Sequence, residues 1–204
     1  MLIIHAHLHT MAGADIADGY LRTEGNQIAE LGGMPVEPKP GEEVIDAQGA
    51  GLYPGFVDAH THLGMWEDGL TFEGDDGNEE TDPVTPQLRA IDAINPVDRC
   101  FQEALHAGVT TVVTGPGSAN AIGGQMAAVK TYGSCIDHMI VKAPFAIKMA
   151  LGENPKSVYH GKNQAPSTRM STAALIREQL YKAKRYQGEL ERAEKDEDFD
   201  MPEF

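Results

Sequence analysis

The chain has 204 residues, 41% of them hydrophobic, which is enough apolar material to bury one large domain or one domain with a smaller companion. Its formal net charge of −15 repels phosphate backbones and anionic lipid, which argues against nucleic-acid and membrane-surface partners. Cys100 and Cys135 are too few for a disulfide framework, no apolar run approaches the roughly 18 residues that span a bilayer, and MLIIHAHLHTM lacks the pattern of a secretion signal, so a cytoplasmic protein is expected.

Residues 1–54 read as short strands and turns, MLIIHAHLHTM, GYLRTEGNQIAELGG and EEVIDAQGAGLYPG, with Gly and Pro punctuating each run. That pattern predicts a small β unit. From Phe56 onward, apolar β-rich segments (FVDAHTHL, GVTTVVTG, FAIKMAL) alternate with longer helical or loop segments, which predicts an α/β fold with a parallel sheet. Asn95-Pro96-Val97-Asp98 is expected to open a helix that Gly108 stops, with Asn95 as cap and Val97, Phe101, Ala104 and Leu105 as its apolar stripe. His106, near the end of that helix, reads as a surface residue paired with the helix dipole. A second helix is expected over Ser171–Tyr186, where Ala173, Ile176, Leu180 and Ala183 recur at spacings of three and four. The acidic stretch from about residue 188, ELERAEKDEDFDMPEF, reads as a solvated linker.

Within FVDAHTHL, residues two apart point to one face of a strand, so Asp58, His60 and His62 share a face while Val57, Ala59 and Thr61 share the other. Two imidazoles converging in this way can hold one ion, although two ligands alone do not complete a metal site. The surrounding segment VIDAQGAGLYPGFVDAHTHLG resembles the passage by which the amidohydrolase superfamily leaves a small β-sandwich and enters the first strand of a metal-bearing barrel. Asp46, Ala47, Gly49, Pro54-Gly55-Phe56, Asp58 and His60-x-His62 carry the resemblance. EGDDGNEETDPVTP, GVTTVVTGPGSAN, GGQMAAVKTYG and KMALGENPK look like an imidazolonepropionase-related branch of that superfamily, so the likeness covers nearly the whole chain.

The resemblance implies that His60 and His62 bind a divalent metal, zinc first, with iron, nickel or manganese as fitting alternatives, in a site of one or two ions. In Phe145–Leu151 the bulky apolar residues occupy odd positions and Ala146, Lys148 and Ala150 the even ones. In a barrel the second face would look into the lumen, where an ammonium is costly unless neutralised or modified. By resemblance, Lys148 is a candidate for carboxylation to a metal-bridging carbamate. Glu153 in LGENPK is the rival carboxylate, and a plain salt-bridged lysine remains the third reading.

His5, His7 and His9 alternate along the first strand like a metal face, yet their resemblance is to the ordinary first strand of the sandwich. The acidic run Glu73–Glu80 lacks the spacing of a calcium loop and reads as a solvated loop at a substrate entrance. Gly115-Pro116-Gly117-Ser118 and Gly123-Gly124-Gln125 are placed after predicted strand ends, making Gly117, Ser118 and Gln125 substrate-loop candidates; tight turns explain the glycines equally well. His138 and His160 read as surface or core residues.

Residues 55–204 are too few for an eight-fold barrel of about 250 residues. The resemblance also calls for two more metal-binding histidines and a water-orienting aspartate on later strands, and after His62 the chain offers only His106, His138 and His160. The expected architecture is therefore part of a small β-sandwich (1–54) followed by the N-terminal half of a metal-dependent (β/α)8 TIM barrel, strands 1–4 (55–204). The expected activity is metal-dependent hydrolysis of an amide or cyclic amide C–N bond in a small-molecule substrate, with no catalytic residue assigned in this chain and the chain alone inactive. The alternative is a catalytically incomplete structural or regulatory subunit. Both readings expect a complementary C-terminal half-barrel as partner, and a homo-oligomer is compatible with either.

Overall fold

The alternating residues of LIIHAHL form β1 (Leu2–Leu8), which places Leu2, Ala6 and Leu8 in the interior. The computed structural model describes residues 1–195 and 200–202, and the chain divides into two units, Met1–Gly55 and Phe56–Phe204. In the first unit, β1 pairs antiparallel with β2 (Ile16–Glu24), and β2 in turn with β3 (Gln27–Gly33); β4 (Val44–Asp46) and β5 (Gly51–Leu52) lie parallel to β1. One five-stranded sheet results.

Arg22 is buried on β2 and is satisfied on every side. It reaches Glu30, the Glu42 Oε1 atom at 2.9 Å and the Glu37 carbonyl at 2.9 Å. The Glu42 carboxylate accepts from the Lys39 amide and from Arg22, which holds its pKa below the ordinary 4.5; Glu24 is lowered likewise by Lys39. A carboxylate with a lowered folded-state pKa stabilises the fold above its unfolded value and loses that contribution as pH falls through the folded one. The first unit is therefore expected to lose thermal stability as pH drops below 4.5. Glu42→Gln should flatten that dependence in calorimetric scans from pH 6 to pH 3.

The second unit holds a four-stranded sheet in the order β6 (Phe56–Thr61), β7 (Val109–Thr114), β8 (Ile122–Lys130), β9 (Ile140–Met149). Only β6 and β7 are parallel neighbours; β7–β8 and β8–β9 are antiparallel. This corrects the expectation of a parallel sheet throughout. The link from Gly115 to Ala121 is too short for the crossover that parallel pairing needs, so the chain turns straight back into β8. Because β8 runs backwards, β9 regains the direction of β6 and β7. Gly123, Gly124 and Gln125, expected after a strand end, lie within β8.

The crossover from β6 to β7 carries α1 (Arg99–His106). Its cap is Asp98, whose side chain accepts from the Cys100 amide, and not Asn95. Asn95 instead closes a turn one step earlier by accepting from the Val97 amide at 3.1 Å. Val97 is thereby left outside the helix and 68% exposed, while Phe101 is buried against Met65, Ile94, Val112 and Met139. After α2 (Ile136–Met139) and α3 (Glu153–Gly161), the long α4 runs from Arg169 to Ala193, capped by Thr168. It exceeds the expected Ser171–Tyr186 span, and i,i+4 contacts carry it past that end: Arg185 pairs with Glu189, and the Gln187 side-chain amide donates to Glu191. Of the expected linker from about 188, residues up to Ala193 are thus helical, and 196–199 and 203–204 lie outside the described residues. Among the described residues, no helix is long and apolar enough to cross a membrane.

Candidate metal centre

β6 ends at Thr61, and the chain leaves it through His62, Leu63 and Gly64. Two side chains clamp this exit to β7: the Thr61 hydroxyl donates to the Val113 carbonyl (3.3 Å) and the Thr114 hydroxyl to the Leu63 carbonyl (2.9 Å). Gly64 has φ +80°, and a Cβ there would lie 2.8 Å from both Ile94 Cγ2 and Phe101 Cε2, so only glycine fits the turn.

The His60 and His62 ring centroids are 5.2 Å apart with the rings at 77°. His62 Nδ1 lies 2.7 Å from the Gly115 carbonyl oxygen, so this nitrogen carries the proton and donates, which leaves Nε2 free as a ligand. Trp66 packs edge-on against the same ring at 5.0 Å. The Asp58 side chain turns back to accept from the His60 amide at 3.1 Å.

Lys148, near the end of β9, places its Nζ 3.0 Å from His60 Nε2. β6 and β9 are the outer strands of a four-stranded sheet, which in a flat sheet would stand about 14 Å apart. The sheet must therefore curl for the two side chains to meet at the shared C-terminal ends of their strands. A Cβ on Gly123 would touch Lys148 Cγ at 3.7 Å, and Gly124 (φ +130°) lies against the Leu88 backbone, where a Cβ would approach the carbonyl oxygen to 2.8 Å.

Burial lowers the Lys148 pKa. The neighbouring lysine charge, followed by burial and His62, lowers that of His60. Both shifts favour the uncharged forms, whose nitrogen lone pairs are available to a metal or an electrophile.

The remaining candidates fall elsewhere. Glu153 is exposed at the start of α3. Gly117 is buried with its amide donating to the Gly77 carbonyl at 2.8 Å, and Gln125 uses its amide on Leu88 and its side chain on Pro86; Ser118 is half-buried between β7 and β8. His106, His138 and His160 are exposed in the last turns of α1, α2 and α3.

The acidic run lines a cleft of about 640 Å³ with Asp75, Asp76, Glu79 and Glu80, and Pro116 and Gly123 belong to the same lining. Asn120 and Tyr159 hold this loop in place, a role with no sequence signal. The Asn120 amide donates to the Glu79 and Asp82 carbonyls at 2.6 and 2.8 Å, and the Tyr159 hydroxyl donates to the Asp82 carbonyl at 2.8 Å. Burial pushes the Tyr159 pKa up to about 12, which keeps that hydroxyl protonated as a donor.

No protein-family model matches the chain. The crystal structure of an amidohydrolase from Thermotoga maritima superposes with a TM-score of 0.92 at 40% identity, covering 100% of this chain and 52% of that one. The amidohydrolase tasK of Hapsidospora irregularis is 34% identical over 162 residues, 74% of this chain and 16% of that protein. The imidazolonepropionase of Phocaeicola vulgatus is 37% identical over 76 residues, 31% of this chain and 18% of that protein. Other relatives are named as deaminases. The chain thus spans about half of the solved relative and a smaller share of these curated ones.

Proposed function

Because this chain is related to amidohydrolases along its full length, we propose that it carries the first part of the metal centre of a hydrolase acting on amide or cyclic amide C–N bonds. The observation that carries this reading is the approach of Lys148 Nζ to within 3.0 Å of His60 Nε2, beside His62. Two imidazoles and an amine whose burial favours its uncharged form suit a divalent first-row metal, zinc first and iron, nickel or manganese next, as one ion or two. Such an ion supplies, when bound, a lowering of a water's pKa toward about 7 and polarisation of the scissile carbonyl.

His60 and His62 would hold the ion, His62 through Nε2, because the Gly115 carbonyl keeps its proton on Nδ1. The neutral Lys148 amine attacks carbon dioxide; the N–C bond forms, one N–H proton goes to solvent, and the carbamate presents carboxylate oxygens in place of the amine. Glu153 is the less favoured carboxylate because it begins an exposed helix. The curled sheet is read as the beginning of a (β/α)8 barrel with β8 reversed, and the first unit as part of a small sandwich. The acid-lined cleft favours an uncharged or cationic small substrate over an anionic one.

The further histidines and the aspartate that the family resemblance calls for would come from a complementary half-barrel. The outer strands of the sheet support this, since Phe56, Val57, Phe145 and Ile147 are exposed on them. Light scattering after size exclusion, with an amide and cyclic-amide hydrolysis assay, tests the proposal. The chain alone should hydrolyse nothing and should be poorly soluble or associated, and addition of the complementary half with zinc should produce activity. A soluble monomer of 22.0 kDa with metal-dependent amidase activity would overturn the division of the chemistry between two parts. A tight, zinc-loaded but inactive complex would favour a structural or regulatory subunit.

A further inference from the structure

A second cluster of ligand groups lies in the first unit, and it is independent of His60 and His62. His7 and His9 fall on one face of the β1 strand path, held at the backbone by their amides, which donate to the Ala50 and Leu52 carbonyls at 2.9 Å each. Their rings stack at 4.3 Å and 28°. Tyr53 stacks on the far side of His9 at 4.2 Å and 8°, limiting how far that ring can swing. Asp15, from the loop before β2, places Oδ2 2.8 Å from His9 Nδ1. His5, which the sequence groups with the other two, is not part of the cluster. It has φ +51° within a register irregularity of β1 and pairs with Asp18 instead.

We infer that His7, His9 and Asp15 form a separate surface site for a divalent transition metal. Each residue offers a ligand atom, and the three atoms lie within 4.8 Å of one another. Ligand atoms around one tetrahedral zinc stand about 3.4 Å apart, given bonds of about 2.1 Å, so side-chain shifts of about 1.4 Å or less close the set. Two imidazoles select zinc, nickel or copper over calcium and magnesium, which prefer all-oxygen cages. A bound ion would tie the loop from Thr10 to Asp15 onto β1, a structural role that leaves a fourth position for water or a further ligand.

Zinc titration by calorimetry tests this on the chain carrying His60→Ala and His62→Ala, so that the candidate centre of the second unit does not contribute. About one zinc should still bind, and adding His9→Gln should weaken its affinity by at least tenfold, with Asp15→Asn having a smaller effect in the same direction. On the unsubstituted chain, zinc should shift the imidazole nitrogen resonances of His7 and His9 in long-range ¹H–¹⁵N spectra, which needs no variant to fold. Absence of zinc binding by the doubly substituted chain, an affinity unchanged by His9→Gln, or unmoved His7 and His9 resonances at saturating zinc would each overturn the assignment.

Discussion

Replacing His60 and His62 together with alanine is expected to lower the zinc bound at saturation by about one equivalent per chain. The loss should be visible in elemental analysis of protein purified without chelator. The expectation follows from the two rings meeting at 5.2 Å, with His62 fixed by the Gly115 carbonyl so that its Nε2 is the free nitrogen. Each single substitution removes a direct ligand, so the affinity should fall by more than the 10- to 100-fold typical of losing an outer-shell partner. Lys148→Met should abolish any carbamate signal in ¹³C spectra recorded under labelled bicarbonate. Metal content unchanged by the double substitution would contradict the assignment of these two histidines.

Phe101→Ala is expected to cost about 3–5 kcal/mol of stability in the second unit, the range for deleting a buried aromatic ring from a packed core. Phe101 is 2% exposed and packs with Met65, Ile94, Val112 and Met139, and its ring edge closes on the Gly64 turn. That turn follows His62 directly, so the cavity loosens the segment that aims both histidines. Chemical denaturation should show the loss, and zinc affinity should weaken in parallel. Val97→Ala is the control, since Val97 is 68% exposed and lies outside the helix; its effect should stay within about 0.5 kcal/mol.

The strand period brings the candidate side chains into view. Alternation in FVDAHTHL sets His60 and His62 on one face, and alternation in FAIKMAL separates Lys148 from its bulky neighbours, because side-chain direction in a strand depends on local backbone alone. What was not legible depends on partners distant in sequence. The reversal of β8 is decided by the short link from Gly115 to Ala121, and its Gly-Gly pair reads as a turn until one sees Lys148 and the Leu88 backbone lying against it.

Capping shows the same limit at shorter range. Asn95 and Asp98 are both good caps, and the choice between them follows from which register buries Phe101. The alternating charges after Gly188 suit a solvated linker or a helix surface equally, and continuity with α4 decides for the helix. Asn120 and Tyr159, which pin the acidic loop to the cleft, carry no local signal because their partners are carbonyls some forty and eighty residues away.

The most direct test of the account is a crystal structure of the zinc-loaded chain, with diffraction recorded on both sides of the zinc absorption edge. The account predicts an anomalous peak within about 2.1 Å of the Nε2 atoms of His60 and His62, with Lys148 withdrawn from its hydrogen bond to His60. At full zinc occupancy elsewhere in the crystal, no peak at this position and a Lys148 Nζ still 3.0 Å from His60 Nε2 would contradict it.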